Sequence, residues 1–400
     1  MIYTIIVISV LIIIIGLIST RDNIFSPAVI TAAVWLFCLL LYLFLPHGLP
    51  PLTNKFLVAL LIWLVLLSLS SLWIQPIVIK QKTTNIQASK LVRDIYLAIG
   101  VIALISFIFW VKTMLGAEGF GESWAKKLRS AVVKGDDAFG GLIVIIWHIS
   151  LILELIYFEK KRWYRVVIVL ICCLIFGFFV MSKTTLFNVV VITFSILFFK
   201  KIITTKHIVI GLTVLFFAFV AFQELRENKE IKSKESFTTL YLLSGMTAFE
   251  TIEASSSKNF GENTFRVYYA ATYKLGLSDK EPVSIILKFI KKPIVTNIYT
   301  VMYPFYKDFG LWGIGIFALI CGLFFGWLFA NARKGSIFFL AFYAYFVSMI
   351  IVQYSGEWLF TNISGNLKFV ILLAVPFLVE KYKMFYFEKD KVNMSTDYTD

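Results

Sequence analysis

Between Arg165 and Lys200 the sequence carries one charged residue, Lys183. As a single helix rising about 1.5 Å per residue, the stretch would reach roughly 50 Å, far beyond the ~30 Å hydrocarbon core of a bilayer. It predicts two apolar helices hinged at "MSKTT", the second only about 16 residues, or ~24 Å, long. Comparable runs recur at about residues 2–19, 28–46, 56–78, 95–114, 140–158, 163–182, 184–199, 207–224, 309–330, 336–354 and 366–381. The 400 residues are 59% hydrophobic, 17% aromatic and 16% charged, where soluble domains carry roughly 25% charged residues. The chain reads as an all-α polytopic membrane protein with about 11 transmembrane helices (10–12).

The opening "MIYTIIVISVLIIIIGLIS" has no basic residue before its apolar run and no small-residue cleavage site after it, so it reads as a retained span. The compact loops 80–94, 159–165, 200–206 and 331–335 are basic, as is "EKYKMFYFEKDK" near the C-terminus. The positive-inside rule puts them in the cytoplasm. The N-terminus, the loop 115–139, the hinge at Lys183, the loop 225–308 and the loop 355–365 then lie outside. Domain organisation follows: spans over 1–224, a large outer loop over 225–308, further spans over 309–383 and a cytoplasmic tail over 384–400. The segments 236–256 and 264–276 read as amphipathic helices, and 281–295 as an interfacial helix with Lys288, Lys291 and Lys292 on its polar side. The four cysteines, Cys38, Cys172, Cys173 and Cys321, fall inside apolar runs and read as buried free thiols.

The net charge of +14 is carried in part by the outer loops. Basic surface beside a membrane meets phosphate, on lipid headgroups or on a phosphorylated substrate. Lys183 at its hinge and Arg226 in "FQELRENKE" are candidate phosphate-binding cations, and a guanidinium can hold phosphate oxygens in bidentate fashion. Arg266 in "GENTFRVYYA" stands beside aromatics suited to stacking on sugar rings. Asp308 in "YKDFGLWG" reads as the N-cap of the following span or as a general base. Glu250 and Glu253 are further outer carboxylates, while His148 and Glu154 are intramembrane polar residues that pair or line a path. No Walker loop or dinucleotide fingerprint occurs, and three histidines give no hydrolytic triad.

The segment "TNIYTVMYPFYKDFGLWGIGIFALICGLFFGW" resembles the C-terminal signature of bacterial oligosaccharide repeat-unit polymerases, the Wzy-type O-antigen and capsule polymerases. In that family T-N-x-[YF]-T is followed by P-[FY]-Y-x-D-F-G and a Gly-rich span. Thr296, Asn297, Tyr299, Thr300, Pro304, Phe305, Tyr306, Asp308, Phe309, Gly310 and Gly313 match it. "VMSKTTLFNVVV" resembles a second segment, with Lys183 where Arg is common, and "FGENTFRVYY" loosely resembles a third.

The resemblance implies a GT-C-like membrane glycosyltransferase architecture in the bacterial inner membrane, with its site facing the periplasm. The substrates would be undecaprenyl-pyrophosphate-linked oligosaccharides, and the reaction would need neither cofactor nor metal. Arg226, Arg266, Lys183 and Asp308 would carry catalysis. Asn297, Tyr299, Thr300, Tyr303, Tyr306 and Lys292 would bind substrate. A chain-length-determining co-polymerase, a flippase of the same pathway and membrane lipids would be partners; nucleic acid would not. A lipid-linked oligosaccharide flippase and an O-antigen ligase are the competing readings. The flippase is disfavoured by the long basic outer loop, and the ligase by the want of a clear outer-loop histidine.

Overall fold

The computed structural model describes residues 1–79, 86–116, 141–180, 182–226, 239–284, 287–291 and 295–396, with isolated positions between 119 and 131. Among these residues the chain is helical, with one isolated bridge in place of a sheet. The helices are α1 (Ile2–Thr20), α2 (Pro27–Phe44), α3 (Asn54–Ile79), α4 (Lys90–Leu115), α5 (Leu142–Ile156), α6 (Trp163–Phe179) and α7 (Lys183–Phe199). They continue with α8 (Thr205–Arg226), α9 (Ser244–Phe249), α10 (Arg266–Lys274), α11 (Tyr303–Arg333), α12 (Ile337–Ile351) and α13 (Ile363–Thr396). Among the described residues seven helical stretches are long and apolar enough to cross a membrane: α1, α2, α3, α4, α6 together with the 3-10 turn Lys160–Arg162 before it, α11 and α13. The apolar helices α5, α7 and α12, and the first turns of α8, are shorter. Each expected span falls on one of these helices. Helices are what hydrocarbon demands, because every backbone polar group must be satisfied within the segment.

The chain divides into two compact units. The first comprises Met1–Gln81, Glu227–Ala330 and Phe346–Asn366. In it α3 meets α11 where Gly322 and Gly326 leave no room for side chains. A Cβ on Gly322 would stand 2.4 Å from the Leu67 carbonyl, and one on Gly326 would stand 2.5 Å from that of Ser71. Backbones this close gain dispersion contacts that lipid cannot offer. Above this seam lies an aromatic core. Trp35 packs on Phe56 (6.0 Å between centroids), Phe56 on Phe249 (5.7 Å) and Phe249 on Tyr306 (4.8 Å). Phe305 stacks on Trp63 (5.9 Å) and Phe317 (4.5 Å).

The second unit comprises Lys82–Arg226, Asn331–Tyr345 and Leu367–Asp400. The Trp147 indole donates to the Gly100 carbonyl (2.9 Å), the Tyr96 hydroxyl donates to that of Leu372 (2.8 Å), and Tyr345 stacks on Phe369 at 3.7 Å. The expected hinge is present here. α6 ends at Phe179, Ser182 caps α7 by accepting from the Thr185 N–H, and Lys183 opens that helix. Glu154 is not paired with His148. Its carboxylate takes both ends of the Arg165 fork, at 2.7 and 2.8 Å, and Arg165 also reaches Asp94 at 2.7 Å. A guanidinium outcompetes a neutral imidazole for a buried carboxylate because it neutralises the charge.

Two further expectations are corrected. The described part of 281–295 holds no helix: Ile290 and Thr296 form an antiparallel bridge, each donating its N–H to the other's carbonyl (2.8 and 3.2 Å). Pro282 removes a helix donor, and the β-branched Val283 and Val295 favour extension. The described part of 236–256 is a π-helical turn (Thr239–Leu243) followed by α9, all six residues of which are buried, so it has no solvent face. The helix expected at 309–330 is present, preceded by a helical segment from Tyr303 and set off from it by the non-helical Gly310. The expectation at 264–276 is met by α10.

Candidate functional site

The first unit gathers the segment 296–310 and the arm 257–266 around one carboxylate. α11 breaks at Gly310, whose φ of +63° is left-handed and suits a residue without Cβ. This break leaves Tyr303–Phe309 as a separate helical head. Asp308 lies within that head and does not cap it. Its side chain is 9% exposed and points to the other arm. Oδ2 accepts the backbone N–H groups of Thr264 (2.7 Å) and Asn263 (3.2 Å). Oδ1 accepts the Asn263 Nδ2 amide (2.7 Å) and the Ser257 hydroxyl. Two residues after Thr264, Arg266 begins α10. Its Nε donates to the Val283 carbonyl (2.6 Å), tying down the 281–284 segment.

The expected substrate-binding residues divide by burial. Tyr299, Thr300 and Tyr306 are buried, while Asn297 and Tyr303 are half-buried. The Tyr299 ring packs on Tyr303 at 4.6 Å, and its hydroxyl donates to the Lys288 carbonyl at 3.3 Å. Burial, and then the neighbouring Tyr303, push the Tyr299 hydroxyl pKa up. Lys307 donates to the Tyr303 hydroxyl (3.1 Å) and sits 5.4 Å from the centre of that ring. The half-buried edge of this lip therefore presents an amide, a phenol and an ammonium, a donor set suited to sugar hydroxyls and phosphate oxygens.

A second tether holds the lip from behind. Glu250, just after α9, accepts the N–H (2.8 Å) and hydroxyl (2.6 Å) of Thr53 at the head of α3. Lys55 donates back to the Glu250 carbonyl (2.9 Å) and to that of Ile252, and stands 5.5 Å from the Tyr306 ring centre.

Sequence reasoning missed the polar knot below. The Gln353 amide oxygen accepts the indole N–H of both Trp35 (3.0 Å) and Trp63 (2.8 Å), while the Gln353 carbonyl accepts from the Val301 N–H (2.8 Å). Glu357 accepts the N–H groups of Leu359, Phe360 and Thr361 at 2.7 to 2.9 Å. Burial raises its pKa against the pull of those three amides. Both border a cavity of about 20 Å³ walled by Trp63, Val301 and Trp358, room for one water. The only available signal was an uncharged glutamine closing an apolar run.

Of the remaining expected residues, Lys183 and Arg226 belong to the second unit and Arg266 to the first. Lys183 is half-buried at the head of α7, and Arg226 ends α8 with its side chain outside the described set. Lys292 lies outside the described residues. Among the described residues, no three His, Cys, Asp or Glu side chains are grouped to hold a metal ion. No family model, curated protein or solved structure matches the chain.

Proposed function

We propose that the chain is a membrane glycosyltransferase that polymerises lipid-linked oligosaccharide repeat units, in the manner of the O-antigen polymerases its sequence resembles. One observation carries the reading. The segments "TNIYTVMYPFYKDFG" and "FGENTFRVYY" resemble that family separately, lie some 30 residues apart, and are bonded to each other through Asp308. In the proposed reaction an acceptor sugar hydroxyl attacks the anomeric carbon of the donor chain. A glycosidic bond forms, the bond from that carbon to lipid pyrophosphate breaks, and the hydroxyl proton passes to the departing pyrophosphate. Charge develops on the departing pyrophosphate, so fixed cations next to it lower the barrier. Arg266, tethered through Nε with its Nη groups making no bond among the described residues, suits that role. Asn297, Tyr303 and Lys307 would orient sugars, which raises the rate by positioning. The site would face the periplasm of a bacterial inner membrane, with the C-terminus in the cytoplasm.

Deleting the gene in its bacterium and running surface polysaccharide on a gel tests this. Collapse of the ladder to a single repeat unit, restored by the wild-type gene and not by Arg266→Ala, is the expected result. An unchanged ladder, or loss of every repeat unit from the cell surface, excludes the polymerase.

A further inference from the structure

We infer that Asp308 is a positioning residue that sets Arg266 against the 296–310 lip, and is not a general base; the functional half of this inference rests on the polymerase reading above. A carboxylate offers about four lone-pair sites. All four are used, by the Ser257 hydroxyl and the Asn263 Nδ2 amide on Oδ1, and by the Asn263 and Thr264 N–H groups on Oδ2. A base must reach the proton it takes. Here the lone-pair positions are taken by protein donors, and the group is only 9% exposed.

The same bonds give the carboxylate another task. Asn263 also donates to the Ser257 oxygen (2.8 Å), so three residues of the arm close on one side chain of α11. The turn they fix runs directly into α10, where the Phe265 N–H donates to the Gly261 carbonyl at 2.7 Å and Arg266 is the first helical residue. The rings follow the same path: Phe260 and Phe265 pack on Phe309 at 5.2 and 6.2 Å, and Phe265 reaches Phe317 at 6.0 Å. Arg266 in turn holds Val283. Asp308 is thus the first link of a chain that orders the arm, its guanidinium and the 281–284 segment beyond.

The test joins a spectroscopic readout to an activity readout. A spin label is placed on Tyr268→Cys, an exposed α10 position in a protein whose four native thiols are buried. Label mobility is compared in full-length protein in lipid nanodiscs with Asp308, Asp308→Asn, Asn263→Ala and the milder Ser257→Ala. Polymerisation by the same proteins is followed against pH. The expected result is a graded rise in mobility, largest for Asp308→Asn. Activity falls in the same order, by roughly tenfold or more for Asp308→Asn, as loss of charge-assisted bonds implies. The residual pH profile keeps its shape. Unchanged mobility, or loss of the rising limb of the pH profile in Asp308→Asn with activity retained in Asn263→Ala, overturns the inference. Absence of polymerisation by the wild-type protein would sink the polymerase reading, while the label would still report whether Asp308 holds the arm.

Discussion

The two units solve one problem in two ways. In the second unit Glu154 is buried against a full positive charge, the Arg165 guanidinium, with Asp94 as a further partner. In the first, Asp308 and Glu357 are buried against dipoles: backbone N–H groups, one amide and one hydroxyl. The charge pair neutralises itself within two helices and asks little of the surrounding backbone. The dipole cages neutralise nothing, but each fixes the path of a loop. A loop that has to hold a substrate group in place gains from the second solution, because the carboxylate orders several residues at once.

The largest way to break this comparison is Arg165→Ala. It leaves Glu154 uncompensated, and thermal unfolding in detergent is expected to show a loss of about 3–5 kcal/mol. The double change Glu154→Leu with Arg165→Met is expected to restore most of it, since an apolar pair needs no desolvation and the half-exposed Asp94 can hydrate. Next comes Asp308→Ala, which strands two backbone donors. A loss of about 2–3 kcal/mol is expected, with faster hydrogen exchange confined to about 257–274. No apolar partner change can rescue it, because the donors are main chain. Gln353→Leu strands the two indole N–H groups and is expected to cost about 2 kcal/mol, read as a lower melting temperature.

Glu357 gives the smallest effect and the sharpest sign. Its folded-state pKa is raised, with burial the largest cause, so the folded protein holds this proton to higher pH than the unfolded chain does. Stability from this group is present below the ordinary glutamate value and falls as pH rises through the raised one. Glu357→Gln is expected to flatten that slope in melting curves taken against pH. A wild-type slope of the opposite sign would mean the three amides outweigh burial.

Much of the helical layout is legible in the sequence because hydrocarbon leaves few choices. Twenty apolar residues without a charge become a helix, and Lys183 alone marks the break between α6 and α7. The outer segments are less legible because water permits many structures. Lys288, Lys291 and Lys292 mimic the polar face of a helix, yet the described residues there form no helix and Ile290 pairs with Thr296 in a bridge. Asp308 looked like a cap because the apolar run begins at Phe309. Its carboxylate instead serves another segment, accepting from Asn263 and Thr264. The Glu154–Arg165 pair and the Gln353 knot depend on which helix faces reach each other, which one-dimensional patterning does not encode.

The most direct test of the proposed activity is reconstitution. Lipid-linked repeat units extracted from the deletion strain are mixed with purified protein in liposomes, and the glycans and released lipid pyrophosphate are measured. The expected result is a ladder of polymers, with about one lipid pyrophosphate released per bond formed. Arg266→Ala protein should leave the single units intact. Movement of repeat units between leaflets without growth in length would contradict the polymerase and make the chain a transporter.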